Sequence, residues 1–263
     1  MIFETHAHLD DKKFDEDRVE LLSSMWDNNI GKIINVGADL RGCQNSIDLA
    51  RKNERIYCSL GVHPDCVYDL TDADIKWMKE QAEAFDKIVA IGEIGFDYYG
   101  EISENQKQEQ KKWFLKQLEL AKELKKPVII HSRDAAEDTY NTLKNYKSEA
   151  NKIGVIHCYS YSKEMAKEYV KLGYYIGVGG VVTFKNGKKL VETVKELDLE
   201  SIVVETDCPY LSPDPHRGER NSPLNIPYII NKIAEIKNVD AQEVEEITYN
   251  NAMKLYGLEE NNR

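Results

Sequence analysis

Eight short runs rich in isoleucine, valine and tyrosine punctuate this chain, each followed by a stretch with helical periodicity, and no other feature restricts its architecture as much. The runs are IF behind the first methionine, KIINVG, IYCSLGV, KIVAIGEIG, PVIIHS, IGVIHC, YYIGVGG and SIVVETD. Stretches such as LRGCQNSIDLARKN, DADIKWMKEQAEAF and SKEMAKEYVKL place apolar residues three and four apart, as amphipathic helices do. Strand then helix, repeated, implies parallel pairing with right-handed crossovers. Eight such units can close on themselves, so the expected fold is α/β, a (β/α)8 barrel. The rival is an open doubly wound sheet, but no GxGxxG opens a helix behind an early strand. No Pro/Gly/Ser-rich linker, compositional shift or internal repeat divides the 263 residues, and residues 1–263 read as a single domain.

In such barrels the loops at the C-terminal ends of the strands build the active site. The first run ends in His6 and His8, the third in His63, the fourth in Glu93, the fifth in His131, the sixth in His157 and the eighth in Asp207, so five of the six histidines fall at strand ends. His6 and His8 are two positions apart and, on a strand, point to the same side. Imidazoles and carboxylates converging on one mouth are costly to bury unless something binds them, and a divalent metal does so. His6, His8, Glu93, His131, His157 and Asp207 are too many for one tetrahedral ion and suit two cations sharing a carboxylate. Glu93, on the strand opposite the first, is the expected bridge between His6, His8 and Asp207 on one side and His131 and His157 on the other. Ligand softness favours Zn, Mn, Fe, Co or Ni over Mg, although geometry and availability can override it.

Composition narrows the partners. A net charge of −11 argues against a surface that adsorbs nucleic acid nonspecifically, so any such contact must be local. No apolar run is long enough to span a bilayer and no charged-then-apolar leader precedes the first strand, which excludes a membrane role. Five cysteines without CxxC spacing favour reduced, mostly buried thiols and a cytoplasmic protein. No obligate protein partner is evident.

Six ordered motifs, THAHLD (5–10), GVHP (61–64), GEIGFDYY (92–99), PVIIHSRDAAED (127–138), HCYS (157–160) and ETDCPYL (205–211), with the late RGERNSP (217–223), make the whole chain resemble the TatD family of metal-dependent deoxyribonucleases among the amidohydrolase-like barrels. The resemblance implies that His6, His8, Glu93, His131, His157 and Asp207 hold metal. It also implies hydrolysis of phosphodiester bonds in DNA, as a 3′ to 5′ exonuclease on single strands. Relatives usually carry Asp two residues before the first histidine, where this chain has Glu4; the two-residue period sets Glu4 on the face of His6, to orient that ring from behind.

In the expected mechanism two divalent cations (Zn, Mn or Mg), with Glu93 as the shared ligand, activate a water that attacks the phosphodiester, and Asp207 is the candidate to accept the proton, the alternative being that it is only a ligand. Glu205 shares the face of Asp207 and is either a supporting partner or a structural charge in the barrel. His63, outside the ligand count, is assigned to the substrate phosphate, with helix-side or loop packing as the alternative; so are Arg133, for which an ordinary surface ion pair is the alternative, and Arg217 and Asn221 in the Pro/Gly-punctuated loop HRGERNSP. Tyr98, Tyr99, Tyr159 and Tyr161 sit where unpaired bases could stack, although loop packing is the plainer alternative. The lysine-rich stretch KQEQKKWFLKQLELAKELKK is read as a solvated outer helix with Trp113, Phe114, Leu118 and Leu120 on its buried side. Two other functions fit the same ligand plan: a hydrolase of amides, lactones or phosphotriesters, and a non-catalytic, metal-stabilised binding protein. The first commonly bridges its metals with a carbamylated lysine, which the fourth strand lacks.

Overall fold

A computed structural model describes residues 1–148, 150 and 153–258. Eight parallel strands lie in the order of the sequence: β1 (Ile2–Ala7), β2 (Ile30–Val36), β3 (Ile56–Leu60), β4 (Ile88–Asp97), β5 (Val128–Arg133), β6 (Gly154–Ile156), β7 (Tyr174–Val178) and β8 (Ile202–Val204). Between them run α1 (Arg18–Asp27), α2 (Leu40–Lys52), α3 (Asp72–Ala84), α4 (Glu104–Glu123), α5 (Ala136–Asn145), α6 (Lys163–Lys171) and α7 (Lys188–Glu196), with α8 (Ile226–Lys237) and α9 (Ala241–Leu255) after β8. The expected (β/α)8 barrel is the fold. Among the described residues, no helix is long and apolar enough to cross a membrane.

Local chemistry starts and stops these elements. Ser103 and Gln106 form a reciprocal capping box at the head of α4, and Thr71 with Asp74 does the same for α3. Asn238 ends α8 in the left-handed conformation, with φ at 55°, which asparagine tolerates better than most residues. On α4, Trp113, Phe114, Leu118 and Leu120 face inward as the periodicity predicts.

The barrel interior is a cluster of strand residues, among them Phe3, Ile34, Val89, Ile129, Val155 and Val203. Met253, Leu255 and Tyr256 from the end of α9 join it, and Phe3 packs against Tyr249 and Tyr256 with ring centroids 6.0 and 5.9 Å apart. Each such apolar side chain stabilises the fold by roughly 1.5–3 kcal/mol when fully buried. Beyond these interior residues the barrel interior is polar, and the histidines sit there.

Closure is the irregular part. Among the described residues β8 meets β1 through one isolated parallel bridge, Ala7 with Cys208. Side chains complete the seam: Thr5 Oγ1 donates to the Val204 carbonyl (2.9 Å), and the buried Glu4 carboxylate accepts from Thr206 N–H (3.0 Å) and Thr206 Oγ1 (2.6 Å). The other Glu4 contact is the backbone N–H of His6 at 2.9 Å, not the His6 ring. Glu4 therefore replaces missing ladder hydrogen bonds, and the expectation that it orients the imidazole is corrected. The β1–β2 register also shifts, between Ile2 and Phe3 and again between Glu4 and Ala7, so strict two-residue alternation does not hold along β1.

Candidate metal centre

His6 and His8 leave β1 with their Nε2 atoms 3.2 Å apart, as two imidazoles aimed at one point must be. β4 delivers Glu93, β5 delivers His131, His157 follows β6 directly, and Asp207 lies just beyond β8. Asp207 is tied back to β1 because its N–H donates to the His6 carbonyl at 2.9 Å. Its φ is 57°, and Cys158 has φ 45°, conformations that cost a non-glycine residue about 1–3 kcal/mol and cluster where side-chain direction matters to function.

Glu93 stands at the centre, and its two oxygens divide the histidines. Oε2 lies 3.4 Å from His6 Nε2 and 3.8 Å from His8 Nε2. Oε1 lies 2.7 Å from His131 Nδ1 and 3.8 Å from His157 Nε2. Asp207 Oδ1 is 3.5 Å from His8, 3.9 Å from His6 and 3.9 Å from His157. The rings of His6 and His157 stack with centroids 3.4 Å apart. Among the described residues four metal-compatible triplets result: His6, His8 and Asp207; His6, Glu93 and His157; His63, Asp97 and His131; and His157, Cys158 and Asp207.

The electrostatics show what this donor set needs. Burial works against charge on His8, His131 and His157, but the neighbouring carboxylates outweigh it and push each up to about 9. Burial also opposes ionisation of Glu93, yet the histidines hold its carboxyl well below the ordinary range, and Asp207 is lowered in the same way. Ionised carboxylates thus retain protons on imidazoles that would otherwise be neutral. A divalent cation supplies that positive charge without protons, so the nitrogen and oxygen donors here fit one. The cluster opens into a cavity of about 1240 Å³ reached also by His63, Arg133 and Tyr210.

The model of the family described as TatD related DNase matches residues 3–257. The chain belongs to the TatD family. It is 40% identical over 258 residues to the "uncharacterized metal-dependent hydrolase YabD" of Bacillus subtilis, covering 98% of this chain and all 100% of YabD. It is 36% identical to the "uncharacterized metal-dependent hydrolase MJ1582" of Methanocaldococcus jannaschii, covering 96% of each chain. Among solved structures, that of YJJV, a TatD homolog from Escherichia coli K12, superposes with a TM-score of 0.90 at 29% identity, covering 97% of this chain and 98% of that one. The chain is a metal-dependent hydrolase of the TatD family.

Around the donors of this TatD-family site, the structure sorts the other expected residues. Glu205, buried, sets Oε1 3.1 Å from His157 Nδ1 and accepts from Cys158 N–H at 2.6 Å, the placement of a supporting partner. His63 is placed inside the donor cluster: its Nε2 is 4.0 Å from Glu93 Oε1, and its ring meets that of His131 edge-on at 4.2 Å. Burial pushes His63 down to about 4 and its Nδ1 accepts from Asp65 N–H, so it faces the site as a neutral imidazole rather than as a cation for phosphate. Arg133 lines the cavity.

Three assignments to substrate are corrected. Tyr159 is 2% exposed and donates its hydroxyl to the Ser162 carbonyl, which makes it core. Asn221 is buried with its amide donated to the carbonyls of Thr206 (3.0 Å) and Tyr210 (2.6 Å), which makes it a brace under the β8 loop. Arg217 stacks 3.6 Å over Phe184 and donates to the Ser212 carbonyl, while Arg220 pairs with Asp17, so the basic loop is pinned to its own surroundings. Tyr161 packs likewise, bonded to Ser132 and Ala135.

Sequence reasoning missed Asp97. Its Oδ2 lies 2.9 Å from His131 Nε2, on the far side of that ring from Glu93. The signal was present in GEIGFDYY, four residues after Glu93, but β4 carries its charge to its last residue and the motif was read only at its centre. Two α4 glutamines were also hidden: Gln110 grips the N–H and C=O of Asp97, and Gln117 those of Val62, fixing the ends of β4 and β3.

Proposed function

We propose that this hydrolase cleaves phosphodiester bonds of DNA, acting on single strands and removing nucleotides from the 3′ end. The observation that carries it is the division of Glu93, one oxygen toward His6 and His8 and the other toward His131 and His157. That arrangement suits two divalent cations, which when bound would supply Lewis acidity toward phosphate oxygens and a water ionised near neutral pH. His6, His8 and Asp207 would hold one, His131 and His157 the other, with Glu93 shared.

The chain's own groups complete the chemistry. Asp207 is 18% exposed where Glu93 is 5% and Glu205 1%, so it is the carboxylate that solvent reaches and takes the proton from the attacking water. The new bond joins the water oxygen to phosphorus, the bond to the departing 3′ sugar oxygen breaks, and that oxygen takes up a proton from solvent to leave as a hydroxyl. Asp97 holds the outer nitrogen of His131 by a hydrogen bond, and the Glu205 carboxylate lies 3.1 Å from that of His157, close enough to favour one ring orientation by charge. Arg133 faces the cavity with a planar fork suited to a phosphate.

The test is turnover of a labelled single-stranded oligonucleotide with Mn, Mg or Zn, together with metal analysis. Stepwise shortening from the 3′ end, two metal equivalents per chain and loss of activity in Glu93→Ala are expected. Activity confined to lactones or amides, with oligonucleotides untouched, would refute the proposal.

A further inference from the structure

Two tyrosines at the mouth are left in water although most of the chain's aromatic rings are packed away. Tyr99 is 65% exposed and Tyr210 is 47% exposed. Each is fastened to a carboxylate residue of the site. Tyr99 N–H donates to Asp97 Oδ1 at 2.9 Å, and Tyr210 N–H to the Asp207 carbonyl at 2.9 Å. Each ring also carries a cation: the Arg133 guanidinium lies 3.6 Å over Tyr99, and Lys13 Nζ lies 4.5 Å over Tyr210. Tyr210 is held further by the Asn221 amide on its carbonyl and by its hydroxyl on Asp11. Tyr99 extends from β4 and Tyr210 from the loop after β8, strands four apart in an order of eight, hence on opposite sides of the barrel.

An aromatic face beside a fixed cation is complementary to one nucleotide, with the base on the ring and the phosphate near the charge. In a duplex the base faces are already stacked on their neighbours, so such a station selects unpaired strands. Two stations on opposite rims, with the donor cluster between them, would hold a strand on either side of the bond to be cut. Tyr98 does not qualify, since its ring is partly covered by the core it packs against.

We infer that Tyr99 with Arg133, and Tyr210 with Lys13, are two base-stacking stations that grip a single strand on both sides of the scissile phosphodiester. This rests on the phosphodiesterase reading above, and the experiment separates the two. Steady-state cleavage of a short oligothymidylate is measured for Tyr99→Ala, Tyr210→Ala and the corresponding Phe variants, with methyl 4-nitrophenyl phosphate as a phosphodiester too short to reach either rim. Each Ala variant should raise KM for the oligonucleotide about 5- to 100-fold, the range for stacking of one base, with kcat little changed. Tyr99→Phe should behave as wild type, Tyr210→Phe, which loses only the bond to Asp11, should stay much closer to wild type than Tyr210→Ala does, and all four variants should turn over the small diester normally. Fluorescence anisotropy of a labelled oligothymidylate in EDTA gives a readout independent of turnover, and the same Ala variants should weaken binding by a similar factor. Wild-type binding by either Ala variant, or Phe variants as damaged as Ala, would overturn the inference. Absence of wild-type cleavage alongside binding that Tyr→Ala weakens would instead sink the phosphodiesterase reading and leave the stations standing.

Discussion

Replacing Gly177 by alanine should damage the metal centre from one strand away. A Cβ at this position of β7 would sit 2.6 Å from Glu205 Oε2 and 2.8 Å from Glu205 Cδ, well inside the roughly 3.5 Å at which such atoms rest. Glu205 cannot simply swing aside, because it is buried and Oε1 is engaged by Cys158 N–H and His157 Nδ1. The added methyl must therefore push either the carboxylate off His157 or the strands apart. Overpacking of this kind costs about 1–3 kcal/mol of stability, and losing the partner of a ligating histidine costs about 10–100-fold in metal affinity, or roughly 1.4–2.8 kcal/mol. Chelator-competition titration measures the second and thermal unfolding by circular dichroism the first. Glu205→Gln serves as the comparison, since it keeps an acceptor for Cys158 N–H and removes the charge; it should weaken metal binding with a smaller loss of stability. Gly177→Ala protein that melts as wild type and binds metal within about two-fold of it would refute the argument, because the carboxylate would then have no fixed place between β7 and His157.

Asp97→Asn should lower metal affinity by about ten-fold through His131, with thermal stability changing less than it does in Gly177→Ala, as read by the same titration. Gln117→Leu leaves the N–H and C=O of Val62 without their partner, so the midpoint should fall by several degrees, consistent with about 1–3 kcal/mol for each orphaned group; an unchanged melting curve would show that the clamp is dispensable. The pH dependence of the metal-free protein follows from His8, His131 and His157, which are raised from 6.5 to about 9 when folded. Their stabilisation is complete below about 6.5 and is lost as pH rises toward 9, so the metal-free midpoint should fall across that window while the metal-loaded one holds. Metal binding at pH 7 should accordingly release protons, so the heat measured by calorimetry should differ between buffers of different ionisation enthalpy; the same uncorrected heat in every buffer would contradict it.

The convergence of these histidines and carboxylates was legible because strand ends announce themselves: a β-branched run followed at once by histidine in PVIIH or IGVIH fixes both the element and the end of it that faces the mouth. What escaped the sequence depends on contacts between distant segments. Gln110 and Gln117 lie in a helix that reads as solvated and charged, and only the packing of α4 against β4 and the segment after β3 shows that they meet two backbones. Asn221 and Arg217 read as a cationic lip because loop composition says nothing about which carbonyl or ring a side chain finds. Glu4 was misjudged for a related reason: the two-residue period assumes a regular strand, and β1 is irregular at the place where the barrel closes.

That irregularity joins folding to chemistry. The β8–β1 seam includes the Ala7–Cys208 bridge, Thr5 on the Val204 carbonyl, Thr206 on the Glu4 carboxylate, and the Asp207 N–H on the His6 carbonyl. These bonds close the barrel and also bring Asp207 within 3.5 Å of His8. A chain whose seam has not formed holds His6 and His8 on one strand and Asp207 on another, with no complete donor set for that side of Glu93. Ligand that binds only the closed form stabilises it by mass action, so metal should tighten the seam itself. Hydrogen exchange at the amides of Thr206 and Asp207 should therefore slow on metal addition, and more than at the β2–β3 ladder, where parallel pairing runs from Ile33 to Val36 without involving a ligand. Equal protection at both places would mean that closure precedes metal binding and owes nothing to it.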